Sequence, residues 1–192
     1  MRRSSILMLV LGTIALVAGP ASAATTTVNI ANLSFTPPVV RVALGGSVNW
    51  HNTTTITTHT STQDQGVWDT GLISGGLDAS KVLAWAATYP YHCSRHLSMT
   101  GTVKVPVKVS PTLGGSTTTF TITFAAAALP TGFTTTVQER VGTGPWVNYK
   151  TGLTGTSTTF KTSIAGTYSF RSLLVGASVQ TKASPLRSIT VS

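Results

Sequence analysis

The sequence predicts an all-β protein in two consecutive parts, on three observations. Helical periodicity is nearly absent across the 192 residues. Short stretches rich in Val, Thr, Tyr and Phe recur between clusters of Gly, Pro, Asn and Ser. Near residues 109–116 the composition turns to that of a linker, Ser110-Pro111-Thr112-Leu113-Gly114-Gly115-Ser116, and a fresh strand pattern follows. Charged residues make up only 9% of the chain, against about a quarter in an average soluble protein, and Thr, Ser, Gly and Ala take their place.

Residues 1–23 read as a secretory signal peptide. Arg2 and Arg3 form a basic start, an apolar run extends from Ile6 to Gly19, and Ala21-Ser22-Ala23 supplies the small residues of a cleavage site. The run is shorter than the ~20 residues that span a bilayer. The expectation is export, to a periplasm or to the cell exterior or surface. Cleavage would leave 169 residues with eleven basic and four acidic side chains. The basic residues are scattered singly, with no basic run or helix, which argues against nucleic acid as a partner. A diffuse positive field still favours an acidic partner. No second hydrophobic span follows, and the expected state is a monomer.

Strands are predicted at 26–30, 39–44, 47–52, 81–85, 88–93 and 101–107. Gly45-Gly46 reads as a hairpin turn, and Pro37-Pro38 suits a sheet edge or bulge. Residues 53–76 form a long turn-rich stretch, with Trp68 and Leu72 as its expected anchors in the core. Trp50, Trp85, Tyr89 and Tyr91 read as core residues. After the linker, Phe120, Ile122 and Phe124 alternate with Thr, giving one apolar and one polar face. Further strands are expected at 134–140, 146–149, 157–161, 167–174 and 187–191, a spacing that suggests a small β-sandwich. The domains predicted are 24–109 and 117–192, joined by 110–116. The second carries no ligand cluster and no catalytic motif, and reads as a spacer or docking unit.

Beyond residue 23 the chain has one Cys, one Met and four His, and four of these six lie within eight positions: His92, Cys93, His96 and Met99. A lone cysteine in an exported chain has no internal disulfide partner. Cys93-x-x-His96-x-x-Met99 brings a thiolate, an imidazole and a thioether into one short loop. Two histidines and a cysteine with a weak axial methionine are the ligand set of a one-electron copper site. Strand parity selects the second histidine. Tyr89, Tyr91 and Cys93 share one face of their strand, so His92 points outward. Val48 and Trp50 face the core, so His51 also points outward. That leaves His59.

The stretch from Leu33 to Val105 resembles the plastocyanin/azurin-type cupredoxins. The matching residues are Leu33-Ser34-Phe35-Thr36-Pro37, Val42 through Asn52, His59-Thr60, Trp68-Asp69-Thr70-Gly71, and Thr88 through Val103 with Cys93, His96 and Met99 at family spacing. The resemblance implies a Greek-key β-sandwich with one type 1 copper ion, held equatorially by His59, Cys93 and His96 and axially by Met99. The two-residue gap between His96 and Met99 is similar to the short loop of the amicyanins. The resemblance further implies that Asn52 braces the ligand loops, that Leu33 and Leu97 belong to an apolar docking surface, and that His96 is the exit for electrons. Arg95 departs from the family, where many members carry Pro, and the acidic patches of plant plastocyanins are missing. The second part, from Tyr168-Ser169-Phe170-Arg171 to Ile189-Thr190-Val191, resembles the closing strands of immunoglobulin and fibronectin type III-like domains.

The expected function is single-electron transfer between redox partner proteins, without catalysis at the metal. The alternative is a copper carrier or storage protein with no redox-shuttle role. A cysteine-nucleophile hydrolase leaves the Met99 spacing unexplained. A multicopper enzyme needs histidines beyond His51 and His92. A structural or adhesive role suits the second part alone.

Overall fold

The computed structural model describes residues 24–192, and every regular element among them is a strand. The expected signal peptide, residues 1–23, lies outside the described residues. Among the described residues no helix is long and apolar enough to cross a membrane.

The first half holds β1 (Thr25–Ala31), β2 (Ser34–Thr36), β3 (Val39–Arg41), β4 (Ser47–Asn52), β5 (Thr62–Gln63), β6 (Asp78–Val82), β7 (Thr88–Cys93) and β8 (His96–Lys104). They form two four-stranded sheets, ordered β2-β1-β4-β6 and β3-β8-β7-β5. The inner faces meet through aromatic rings. Phe35 lies edge-on to Tyr91 with centroids 4.7 Å apart, and Trp50 meets Tyr91 at 5.6 Å. Such edge-on pairs add about 0.5–1.5 kcal/mol each beyond their area. The alternation read in 47–52 and 88–93 appears in both strands as strict burial of every second residue, Val48, Trp50 and Asn52 against Tyr89, Tyr91 and Cys93. Gly101 of β8 lies under the Tyr91 ring, so close that any Cβ there would overlap the phenol.

Four expectations are corrected. Gly45-Gly46 does not close a hairpin: β3 pairs with β8 in one sheet and β4 with β1 in the other, so the turn carries the chain between sheets. Gly45 takes φ +86 there, and its N–H donates to the Leu83 carbonyl. The strand predicted at 81–85 is centred earlier, at Asp78–Val82, because Leu83 bonds the Gly45-Gly46 turn and the Ala84 carbonyl accepts from Ala126 of the second half. Leu72 is not a core anchor; it is 63% exposed, and its neighbour Ile73 is buried instead. Trp85 is half-buried, with its indole N–H donating to the Ala128 carbonyl.

The second half holds β9 (Lys108–Ser110), β10 (Leu113–Gly114), β11 (Phe120–Thr123), β12 (Thr134–Val141), β13 (Val147–Leu153), β14 (Ser157–Phe160), β15 (Gly166–Val175) and β16 (Arg187–Val191). They make a three-stranded sheet, β14-β11-β9, and a five-stranded sheet, β10-β16-β15-β12-β13. Phe120, Ile122 and Phe160 pack against Val137, Phe170 and Ile189 between them. The stretch 110–116 contributes Ser110 to β9 and all of β10, which pairs with β16. The halves are joined by hydrogen bonds from the Ala86 N–H to Phe124 O, the Ala126 N–H to Ala84 O, and the buried Ser172 hydroxyl to Ala86 O at 2.7 Å.

Candidate metal centre

Three of the four expected ligands converge at the end of the first sandwich where β7 stops. Cys93 closes β7 on its inner face and is fully buried. His59 sits in the 53–76 stretch and is also fully buried. Its backbone exchanges both hydrogen bonds with Ile73, at 3.1 and 2.7 Å, which fixes the otherwise irregular loop. His96 opens β8 and is half-buried. The donor atoms of His59, Cys93 and His96 all lie within 4.8 Å of one another. His59 Nδ1 is 3.8 Å from Cys93 Sγ, and His96 Nδ1 is 3.6 Å from it.

Those distances fit a shared ion. A first-row metal about 2.3 Å from sulfur and about 2.0 Å from nitrogen, with the two bonds near 120° apart, separates S and N by about 3.7 Å. Both imidazoles turn the same nitrogen, Nδ1, toward the sulfur. Burial holds the His59 imidazole below its ordinary range, and the positive charges of His96 and Arg95 add to the effect. The neutral ring that results is the form that offers a lone pair to a metal. His59 Nε2 is buried without a hydrogen-bond partner, so its Nδ1 is the nitrogen committed to the cluster.

Met99 lies 1% exposed on the inner face of β8, beside the inner face of β7 that carries Cys93. A register break brings it there. Cys93 pairs with His96 while His92 pairs with Thr100, so Leu97 and Ser98 bulge outward and Met99 turns in. His51 and His92 point away from the cluster. His51 Nδ1 is 2.9 Å from Asp78 and His92 Nδ1 is 2.8 Å from Asp64.

Asn52 is fully buried and ties three segments together. Its amide N–H groups donate to the carbonyls of Thr57 and Ile73, both at 2.8 Å, and its Oδ1 accepts from the backbone and hydroxyl of Thr54. No motif assigns a role to Thr60, which fastens its loop to the end of β7. Its backbone N–H donates to Cys93 Sγ at 3.3 Å, and its hydroxyl oxygen accepts from the Ser94 N–H at 2.8 Å. Thr60 follows His59 directly, but no spacing rule marks it; only the pairing of the two loops gives it this place. Around the same end Leu33, Ile56, Leu72 and Leu97 stand exposed, with Arg95 beside His96.

The chain matches no protein-family model and no curated protein. Among solved structures it is similar to several amicyanin variants. A reduced Cu(I) form at pH 4 is 26% identical, with a TM-score of 0.41, over 45% of this chain and 86% of that one. An oxidized form of another variant gives 26% and 0.41 over the same shares. A Cu(I) form of a third is 29% identical, with a TM-score of 0.40, over 44% of this chain and 84% of that one.

Proposed function

We propose that the chain is an exported blue-copper protein that passes single electrons between partner proteins. The observation that supports this reading is the buried cluster of two imidazole Nδ1 atoms 3.8 and 3.6 Å from one thiol sulfur. In this reading His59, Cys93 and His96 would hold the ion, with Met99 as a fourth donor. Copper held there would supply one redox equivalent by passing between its +1 and +2 states. The protein's part is to keep the donor positions unchanged between those states. Asn52 locks the loop before His59, and Thr60 fastens that loop to Cys93 and Ser94. Contacts of this kind orient ligands and tune the metal. Burial of Cys93 and His59 keeps water from those two donors. His96, half-buried and followed by the exposed Leu97, is the route for electrons in this reading, and Arg95 favours an acidic partner. Residues 24–109 are the copper unit and 117–192 a spacer or docking unit in this proposal.

The test is one equivalent of Cu(II) added to the protein and to Cys93→Ser, followed by visible absorption and EPR. An intense blue band with narrow copper hyperfine splitting, absent from the variant, supports the reading. A pale product with broad splitting, equal in both, overturns the ligand set. A blue site that loses its copper on each reduction favours the carrier alternative over the electron carrier.

A further inference from the structure

At the far end of β7 from the ligand cluster, the fold assembles a second feature that the copper reading does not use. A cleft of about 510 Å³ opens between the two halves, lined by Arg41, Thr88, Lys104, Ser184 and Arg187 among others. That volume lies in the range of small-molecule sites, about 300–1,000 Å³. Cys93 is five residues along β7 from Thr88, about 17 Å at the rise of a strand.

Strand register builds the cationic wall. Arg41 of β3 lies opposite Lys104 of β8, Lys104 opposite Thr88 of β7, and Thr88 bridges to Lys182. All three sheet residues fall on the outer face, out of step with the buried Val40, Val103 and Tyr89. Arg187, at the start of β16, closes the other side. Like charges directly opposite one another weaken a sheet, and nothing here neutralises them. The chain has four acidic residues, Asp64, Asp69, Asp78 and Glu139, and none lines the cleft. Among the described residues both ion pairs are His–Asp contacts that involve no cleft residue. Two arginines and a lysine line one concavity, and Arg187 Nη1 makes only a long contact to the Leu186 carbonyl at 3.4 Å; guanidinium groups bind two phosphoryl oxygens at once and an ammonium acts as a point charge.

We propose that this cleft is a binding site for an anion carrying phosphoryl groups, with Arg41, Lys104 and Arg187 as its ligands. The Thr88 hydroxyl already donates to the Ala183 carbonyl at 2.8 Å, which holds the 182–187 segment against β7 and keeps Arg187 in place.

The probe is inorganic pyrophosphate, titrated into the protein of residues 24–192 by calorimetry at about 0.1 M salt, where diffuse surface attraction is largely screened. Acetate at equal ionic strength is the monoanion comparison. Arg41→Gln with Lys104→Gln removes two cleft charges, Lys81→Gln with Lys161→Gln removes two elsewhere, and Arg187→Gln alone tests the opposite wall. Saturable pyrophosphate binding is expected, weakened at least about tenfold by the cleft pair, several-fold by Arg187→Gln and less than twofold by the distant pair. Thermal unfolding of each variant confirms that it is folded, and the single exposed Arg187→Gln decides the matter if the pair is not. Equal weakening by both pairs, or pyrophosphate binding no better than acetate, overturns the proposal.

Discussion

Leu33 is the residue that departs furthest from what its local structure favours. The β1–β2 turn has two residues, Asn32 and Leu33, both at positive φ, 49 and 56. That is the conformation of a type I′ hairpin turn, for which Asn-Gly is the preferred pair. A side chain with a Cβ costs roughly 1–2 kcal/mol in this region, yet the chain puts an exposed leucine there. Strain of this kind gathers at functional positions, and Leu33 stands at the end of the sandwich that carries the ligand cluster. Leu33→Gly is therefore expected to stabilise the protein by about 1 kcal/mol, part of the relief being offset by the entropy of the glycine. Urea unfolding measures it. A loss of stability would mean that the leucine packs in the folded state more than its exposure indicates. The same local rules explain what the sequence disclosed at this scale. That Cys93 and His96 come together was legible because rare residue types fall at close spacing. His59 followed from strand parity. Thr60 was not legible, because its value lies in a backbone N–H and in a loop that returns from thirty-three residues away.

Strands whose alternation is strict were legible to the residue, as β4 and β7 were, because one-residue slips would turn a buried tryptophan or tyrosine to water. The 53–76 stretch was not, since side chains bonded to backbone shape it: Asn52 to Thr57 and Ile73, Gln63 to the amides of Gln65 and Val67. Between the adjacent apolar residues Leu72 and Ile73, only the pairing with His59 decides which turns inward. On the outer face of the same strands a polar ladder joins β4 to β6. Asp78 accepts from the Asn49 amide at 2.9 Å and meets His51 at 2.9 Å, and Ser80 donates to Asn49. The Asn49 hydrogen bond first, then that of His51, hold the Asp78 carboxyl below its ordinary value. A carboxyl lowered in this way adds stability above its unfolded-state value, and the contribution is lost as pH falls through the folded one. Asp78→Asn should therefore be less stable than the natural protein at pH 7, with the gap closing below about pH 4. Unfolding midpoints in urea at pH 7, 5, 4 and 3 test the sign. A gap that stays constant across the series would show that the loss comes from placing an amide among these donors, not from removing the charge.

At the scale of the molecule, the question is whether the two halves unfold as one. The composition of 110–116 is that of a linker, and the contacts between the halves it joins are buried and hydrogen-bonded. Ala86 and Ala87 are 3% and 0% exposed, although alanine contributes little core of its own. Ala86 is bonded on both sides by the other half, where the Ser172 hydroxyl donates to its carbonyl and its N–H donates to Phe124. The basic cleft also exists only while 182–187 lies against β7, which is why scattered single cations gave no hint of it in the sequence. Ser172→Ala removes the one buried side-chain donor from Ala86 O and leaves that carbonyl without it, a loss of about 1–3 kcal/mol. If the halves are coupled, the loss is felt in both. Native-state hydrogen exchange reads this directly, because the slowest amides report global opening. The amides of Tyr91 in β7 and Phe170 in β15 are expected to share one opening free energy and to lose protection equally in Ser172→Ala. Loss confined to Phe170 would mean that the first sandwich, with its ligand cluster, holds its fold without the second, and that the junction positions the halves without stabilising them.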